Sequence, residues 1–247
     1  PVDKKNLLLK DVAALSTSDI QNAIDDIPPI TFFFLNEDQI KGLKLATMQP
    51  DQITALFDLD DANLKARLAL FDEQDIREAI IKQTLKNNVL RHIPKSYFSI
   101  IKLSDLNKEQ INILFSWKEN SADDTALFKG FSVDDVQKAI ENKLLNETYK
   151  LSLLSDEQLK WIRISKFSAE TLALMFPWSE NAAPHRKRFS NFQADDLQTA
   201  IENNLIKDQY QLSLISDEQL KALNLSKFSK TTLESLFPWR EDSSADR

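Results

Sequence analysis

Apolar residues in this chain come in short bursts at helical spacing, and the bursts themselves recur. In "DDLQTAIENNL", Asp195 to Leu205, the residues Leu197, Ala200, Ile201 and Leu205 fall on one helical face. Val136, Ala139, Ile140 and Leu144 repeat that stripe, and Ile20, Ala23, Ile24 and Ile27 repeat it near the start of the chain. Each stripe is narrow, and a helix of this length is not stable alone. The pattern therefore predicts short helices that bury one face on their neighbours.

Polar positions mark where the helices begin. "SDEQ" at Ser155 and at Ser216 pairs an N-cap serine with Gln158 or Gln219 three residues later, the spacing of a capping box. Asn36 with Gln39 and Asn107 with Gln110 repeat it. Ser168 and Ser229 start a second helix within about a dozen residues, and Pro50 suits a first helical position.

These signals recur at a fixed interval. Trp117, Trp178 and Trp239 are evenly spaced (178 − 117 = 61; 239 − 178 = 61), and the same shift carries Tyr149 onto Tyr210 and Phe167 onto Phe228. The N-terminal stretch Leu35 to Phe57 aligns without a gap on Leu154 to Phe176 (154 − 35 = 119; 176 − 57 = 119). The reading is a mainly α chain, a helical-repeat solenoid of about four copies, each with about three short helices. A continuous array over 1–240 would comprise units of approximately 1–57, 58–117, 118–178 and 179–239, with 241–247 as a charged, disordered tail.

An α/β alternative stands beside it. "LKALNL", Leu220 to Leu225, and "IKGLKL", Ile40 to Leu45, have the spacing of leucine-rich repeats. "YKLSLL", from Tyr149, and "YQLSLI", from Tyr210, alternate like strands. Against this, the asparagine expected after the leucine pattern is absent, and 61 residues exceed the usual 20–29 of such a repeat.

Composition sharpens the helical reading. Two glycines in 247 residues disfavour hairpins and phosphate-cradling loops. The absence of cysteine removes disulfides, thiol catalysis and thiolate metal sites. A net charge of −7 gives no whole-chain attraction to nucleic acid. No apolar run approaches the roughly 18 residues of a membrane span, and no signal peptide opens the chain. The expectation is a soluble protein, cytoplasmic or secreted. The start at Pro1, and an end just after a repeat's "FPW", suggest a piece of a longer array.

Residues recurring in every copy serve packing, and residues that break the pattern are free for function. The repeat signature comprises Phe115, Trp117, Phe176, Trp178, Phe237 and Trp239 with Gln158 and Gln219. Its aromatics read as a helix stop covering a junction rather than as a binding stripe. The acid pairs Asp134–Asp135, Asp195–Asp196 and Asp156–Glu157 fall in first helical turns, where negative charge offsets the helix dipole. His92 and His185, the only histidines, stand far apart without metal spacing. No catalytic residue, metal or cofactor is expected.

Three segments depart from the repeat. "PHRKRF", Pro184 to Phe189, places His185, Arg186, Lys187 and Arg188 where the preceding copy reads "DDTALF"; it reads as a solvated inter-helix loop or a basic docking patch. Trp161 replaces Ile100 and Ala222, and "PPITFFFL", Pro28 to Leu35, is more apolar than its counterparts. The expected function is a non-enzymatic scaffold binding another protein, part of a longer bacterial protein or effector. Small-molecule substrates and nucleic acid are not expected as partners. The alternatives are an accessory domain of a larger enzyme, a carboxylate-based hydrolase, and a phosphate or lipid-headgroup site on the basic segment.

Overall fold

The computed structural model describes residues 14–115, 117 and 121–237; Trp239 and the 241–247 tail lie outside them. Among the described residues every regular element is an α-helix or a 3-10 helix, and there is no strand. The chain divides into two compact units, Pro1–Ser116 and Trp117–Arg247.

The second unit runs Ala122–Lys129, Val133–Glu141, Thr148–Ser152, Asp156–Trp161, a 3-10 turn Ile164–Lys166 and Ala169–Met175. It then runs Ala183–Phe189, Ala194–Glu202, Gln209–Leu212, Asp217–Ala222, a 3-10 turn Leu225–Lys227 and Lys230–Leu236. Each start in the second run lies 61 residues beyond its counterpart (183 − 122 = 61; 230 − 169 = 61). The first unit is also a succession of short helices, from Thr17–Asn22 to Lys108–Leu114, with 3-10 turns at Leu45–Thr47 and Leu103–Asp105.

Two expectations are corrected here. About three helices per copy was too few: Ala122 to Met175 alone holds six helical pieces, some a single turn long. The strand-like segments are also helical. "YKLSLL" enters helix Thr148–Ser152 and "YQLSLI" enters Gln209–Leu212. Leu151, Leu153 and Leu154 are all buried, which an alternating strand facing one core would not allow.

The capping boxes form as the spacing predicts, and their glutamines do more than cap. Gln158 returns its Oε1 to the Ser155 N–H, while its Nε2 donates to the Phe128 carbonyl at 2.9 Å and the Phe131 carbonyl at 3.1 Å. Gln219 does the same for Phe189 and Phe192, both at 3.0 Å. In the first unit Gln39 donates to Leu15, Gln52 to Ile24 and Gln110 to Ile80. A buried amide thus ties one helix start to carbonyls about thirty residues earlier in the chain, at the end of another helix.

The helices of the "DDLQTAI" element stop without glycine. Gln83, Lys143 and Asn204 take φ of 57°, 58° and 56° just past the helix end. Around Lys143 the Leu144 N–H reaches Ala139 O and the Lys143 N–H reaches Ile140 O, each at 2.9 Å, a Schellman motif. The turn shifts the apolar register. Leu144 and Leu205, expected on the buried stripe, are half-buried, and Leu145 and Ile206 take the core positions.

Candidate functional site

The segment "PHRKRF" is helical, Ala183–Phe189, with Pro184 in its first turn, and is not the loop expected. Its four polar side chains part ways. Arg188 folds back onto the end of helix Thr148–Ser152, donating to the carbonyls of Leu151 at 3.1 Å, Ser152 at 3.1 Å and Leu154 at 3.0 Å. Burial pulls its pKa below the ordinary arginine value, and Asp156 opposes that. A cation near these last carbonyls also suits the negative end of the helix. Comparison with a second copy would have revealed this role. Arg67 stands near the end of helix Asp61–Leu68 and donates to Phe33 O at 3.5 Å and Leu56 O at 2.8 Å.

His185 is half-buried, with Nδ1 2.8 Å from the Tyr210 hydroxyl and its ring edge-on to Phe176 and Tyr210. Desolvation pulls its pKa down, with a further push from Arg188. The ring is therefore neutral near pH 7. Arg186 and Lys187 remain exposed. Of the basic segment, these two alone are fully turned to solvent.

Trp161 is 57% exposed at the end of helix Asp156–Trp161, and its Nε1 donates to Glu157 Oε1 at 3.0 Å. Lys160 Nζ lies 5.3 Å from its ring. The recurring Phe-x-Trp motif splits. Phe115 and Phe176 are buried, as the helix-stop reading requires, but Trp178 is 71% exposed and covers no junction. Phe237 is also partly exposed. In "PPITFFFL", Thr31, Phe32 and Leu35 enter the core of the first unit, whereas Ile30, Phe33 and Phe34 face outward.

Beside Trp178 opens a cleft of about 310 Å³. Phe176, Leu205, Tyr210, Ala169 and Ala173 line it, together with the exposed Lys207 and Asp208. Sequence reading singled out neither alanine, although the repeat carries the signal. The matching positions are Lys108 and Asn112 in one copy and Lys230 and Glu234 in another, where the side chains form an ion pair at 3.7 Å. The N-terminal copy has Pro50 and Thr54 there, so this copy alone has two alanines one turn apart, and both line the cleft.

The acid pairs sit in first helical turns, as expected, and one member of a pair has a second task. Asp196 accepts from the Ile164 N–H at 2.6 Å and from the Ser165 hydroxyl, capping the 3-10 turn Ile164–Lys166. His92 pairs with Asp61 at 3.3 Å, in the other compact unit from His185. Among the described residues no three His, Asp or Glu side chains gather as a metal site, and no helix is long and apolar enough to cross a membrane. No family model, curated protein or solved structure matches the chain.

Proposed function

We propose that the chain is a non-enzymatic interaction module, a helical-repeat solenoid whose variable positions bind another protein. The observation that carries this reading is the exposure of Trp161, at a position that varies between copies, and of the recurring Trp178. Large aromatics held rigidly at a surface are what protein interfaces concentrate, and a repeated core leaves such positions free to vary. The polar groups that look chemical in the sequence have structural work: Arg188 caps a helix, Asp196 caps a turn and His185 is held by Tyr210.

Affinity capture from lysate with the wild type, Trp161→Ala and Trp178→Ala tests the reading, with circular dichroism confirming that each variant folds. A single protein partner weakened about tenfold or more by an aromatic truncation is expected, the loss typical of an interface anchor. Failure to retain any protein would count against the module. Exposure of Arg186 and Lys187 supports a second reading, docking of a phosphate or lipid headgroup. That reading requires salt-sensitive binding to phosphate or anionic vesicles that disappears in Arg186→Glu/Lys187→Glu.

A further inference from the structure

We propose that the cleft beside Trp178 is a seat for a tryptophan side chain presented by a partner polypeptide, which rests on the interaction reading above and gives it a chemistry. The chain supplies its own template. One repeat earlier Trp117 stands edge-on to Tyr149, ring centroids 6.2 Å apart, with Lys150 Nζ 4.8 Å from the indole. The shift of 61 carries Trp117, Tyr149 and Lys150 onto Trp178, Tyr210 and Gln211 (210 − 149 = 61). In that later copy the arrangement is open. Trp178 is turned to solvent and meets no other aromatic ring among the described residues, while Tyr210 and Gln211 line an unfilled cleft.

Three substitutions between these two copies accompany the opening. Ala169 and Ala173 stand where the preceding copy has Lys108 and Asn112 and the following one Lys230 and Glu234, and both alanines line the cleft. Pro177 precedes Trp178 where Ser116 precedes Trp117, and Trp117 takes a left-handed φ of 48°. At about 310 Å³ the cleft is at the lower bound of ligand sites, room for one large side chain. Its lining is largely aromatic and aliphatic and includes Gln211, which suits an indole: an apolar body with one N–H donor. The single positive and single negative group at the edge, Lys207 and Asp208, select for no net charge in the arriving segment.

The test is an NMR titration of the isotope-labelled chain with N-acetyl-tryptophanamide, N-acetyl-leucinamide and N-acetyl-lysinamide. The expected result is saturating shifts at Ala169, Ala173, the Gln211 side-chain amide and the Trp178 indole, with the tryptophan compound about fivefold tighter than leucine. Ala169→Lys/Ala173→Glu, which copies the following repeat and so keeps a sequence the fold already accepts, should abolish those shifts. Equal binding of the three amides, shifts that survive in the double variant, or contacts of Trp178 itself with Tyr210 in the free chain would each overturn the proposal. Capture from lysate separates the two levels. A partner held equally by wild type and double variant, with no tryptophanamide binding, removes the cleft and leaves the module. Tryptophanamide binding without any captured protein removes the module and leaves the cleft's indole chemistry.

Discussion

The Leu45 N–H donates to Asp75 Oδ2 at 3.1 Å, and the other oxygen of this buried carboxylate meets no protein donor. The matching pair two repeats on is complete, because Ser165 supplies a hydroxyl to Asp196 where Ala46 stands beside Asp75 (165 − 46 = 119). The incomplete shell raises the Asp75 pKa from 3.8, mainly through desolvation, with the Leu45 N–H pulling the other way. Ala46→Ser is expected to stabilise the fold by about 1 kcal/mol at pH 7, the worth of one hydrogen bond to a group already buried. Because the folded state holds this proton more tightly than the unfolded chain, Asp75 lowers stability as pH rises from 3.8 through its folded value. The serine should shrink that loss. Urea unfolding of both chains across pH 4 to 7 measures it, and an unchanged difference between the chains at all pH values would contradict the account.

The dual use of glutamine predicts that an acid cannot replace it. Gln158→Glu keeps the return bond to the Ser155 N–H but removes both donors to Phe128 and Phe131. Two carbonyls would then face a carboxylate in a buried place. A cost of about 1–3 kcal/mol is expected, from the lost hydrogen bonds and a carboxylate set against carbonyl oxygens. Gln219, whose amide makes the same two bonds to Phe189 and Phe192, should lose about as much on the same change. Denaturant midpoints for Gln158→Glu and Gln219→Glu check it.

Lys143→Gly should stabilise the protein, against the usual rule for glycine. A non-glycine residue in the left-handed region costs about 1–2 kcal/mol, while the added freedom of an unfolded glycine costs about 0.5–1. The balance favours the variant by about 0.5–1 kcal/mol, and Gln83→Gly by a similar amount. Asn204→Gly should gain less, since asparagine tolerates this conformation better. Thermal unfolding of the three variants gives the ranking.

Within the basic segment the four positions should separate cleanly. Arg188→Ala releases three carbonyls and is expected to cost about 2–4 kcal/mol. Arg186→Ala and Lys187→Ala, on the exposed side, should stay within about 0.5 kcal/mol of wild type. Equal effects at Arg186 and Arg188 in chemical denaturation would refute the division of labour.

What the sequence made legible was local. Ser155 with Gln158, Ser216 with Gln219 and Asn107 with Gln110 are visible because a cap and its partner are three residues apart. The second task of each glutamine was hidden because its carbonyl partners are remote in sequence, as Phe128 is from Gln158. The Lys143 turn was hidden because a helix stop is recognised by glycine, and this chain uses lysine, glutamine and asparagine there. Helix Thr148–Ser152 reads as an alternating segment because five residues are too few to show a helical period and no side chain caps it. The cleft was legible only in part. Trp161 and Trp178 stand out in the sequence, but the cleft is lined by two alanines, and small residues draw notice only when copies are compared position by position.

His185 makes the fold sensitive to mild acid. Its pKa lies below 6.5 in the folded chain, first because burial disfavours the charged ring and then because Arg188 stands near. The unfolded chain therefore binds the proton more readily. Stability is full above about pH 6.5 and falls as pH drops through the window between that value and the folded one. The Tyr210 hydroxyl sits 2.8 Å from Nδ1, so protonation also fixes Nδ1 as a donor and obliges the hydroxyl to accept. Asp75 acts in the opposite sense, but only as pH falls toward the carboxylate range. His185→Gln, which does not titrate, should lower stability at pH 7 by about 1 kcal/mol through lost packing and then flatten the profile between pH 7 and 5. Parallel unfolding curves for the two chains over that range would place the acid sensitivity elsewhere. A shallower slope in the variant, with the His185 ring signal titrating below 6.5 in the wild type, would place it on this pair.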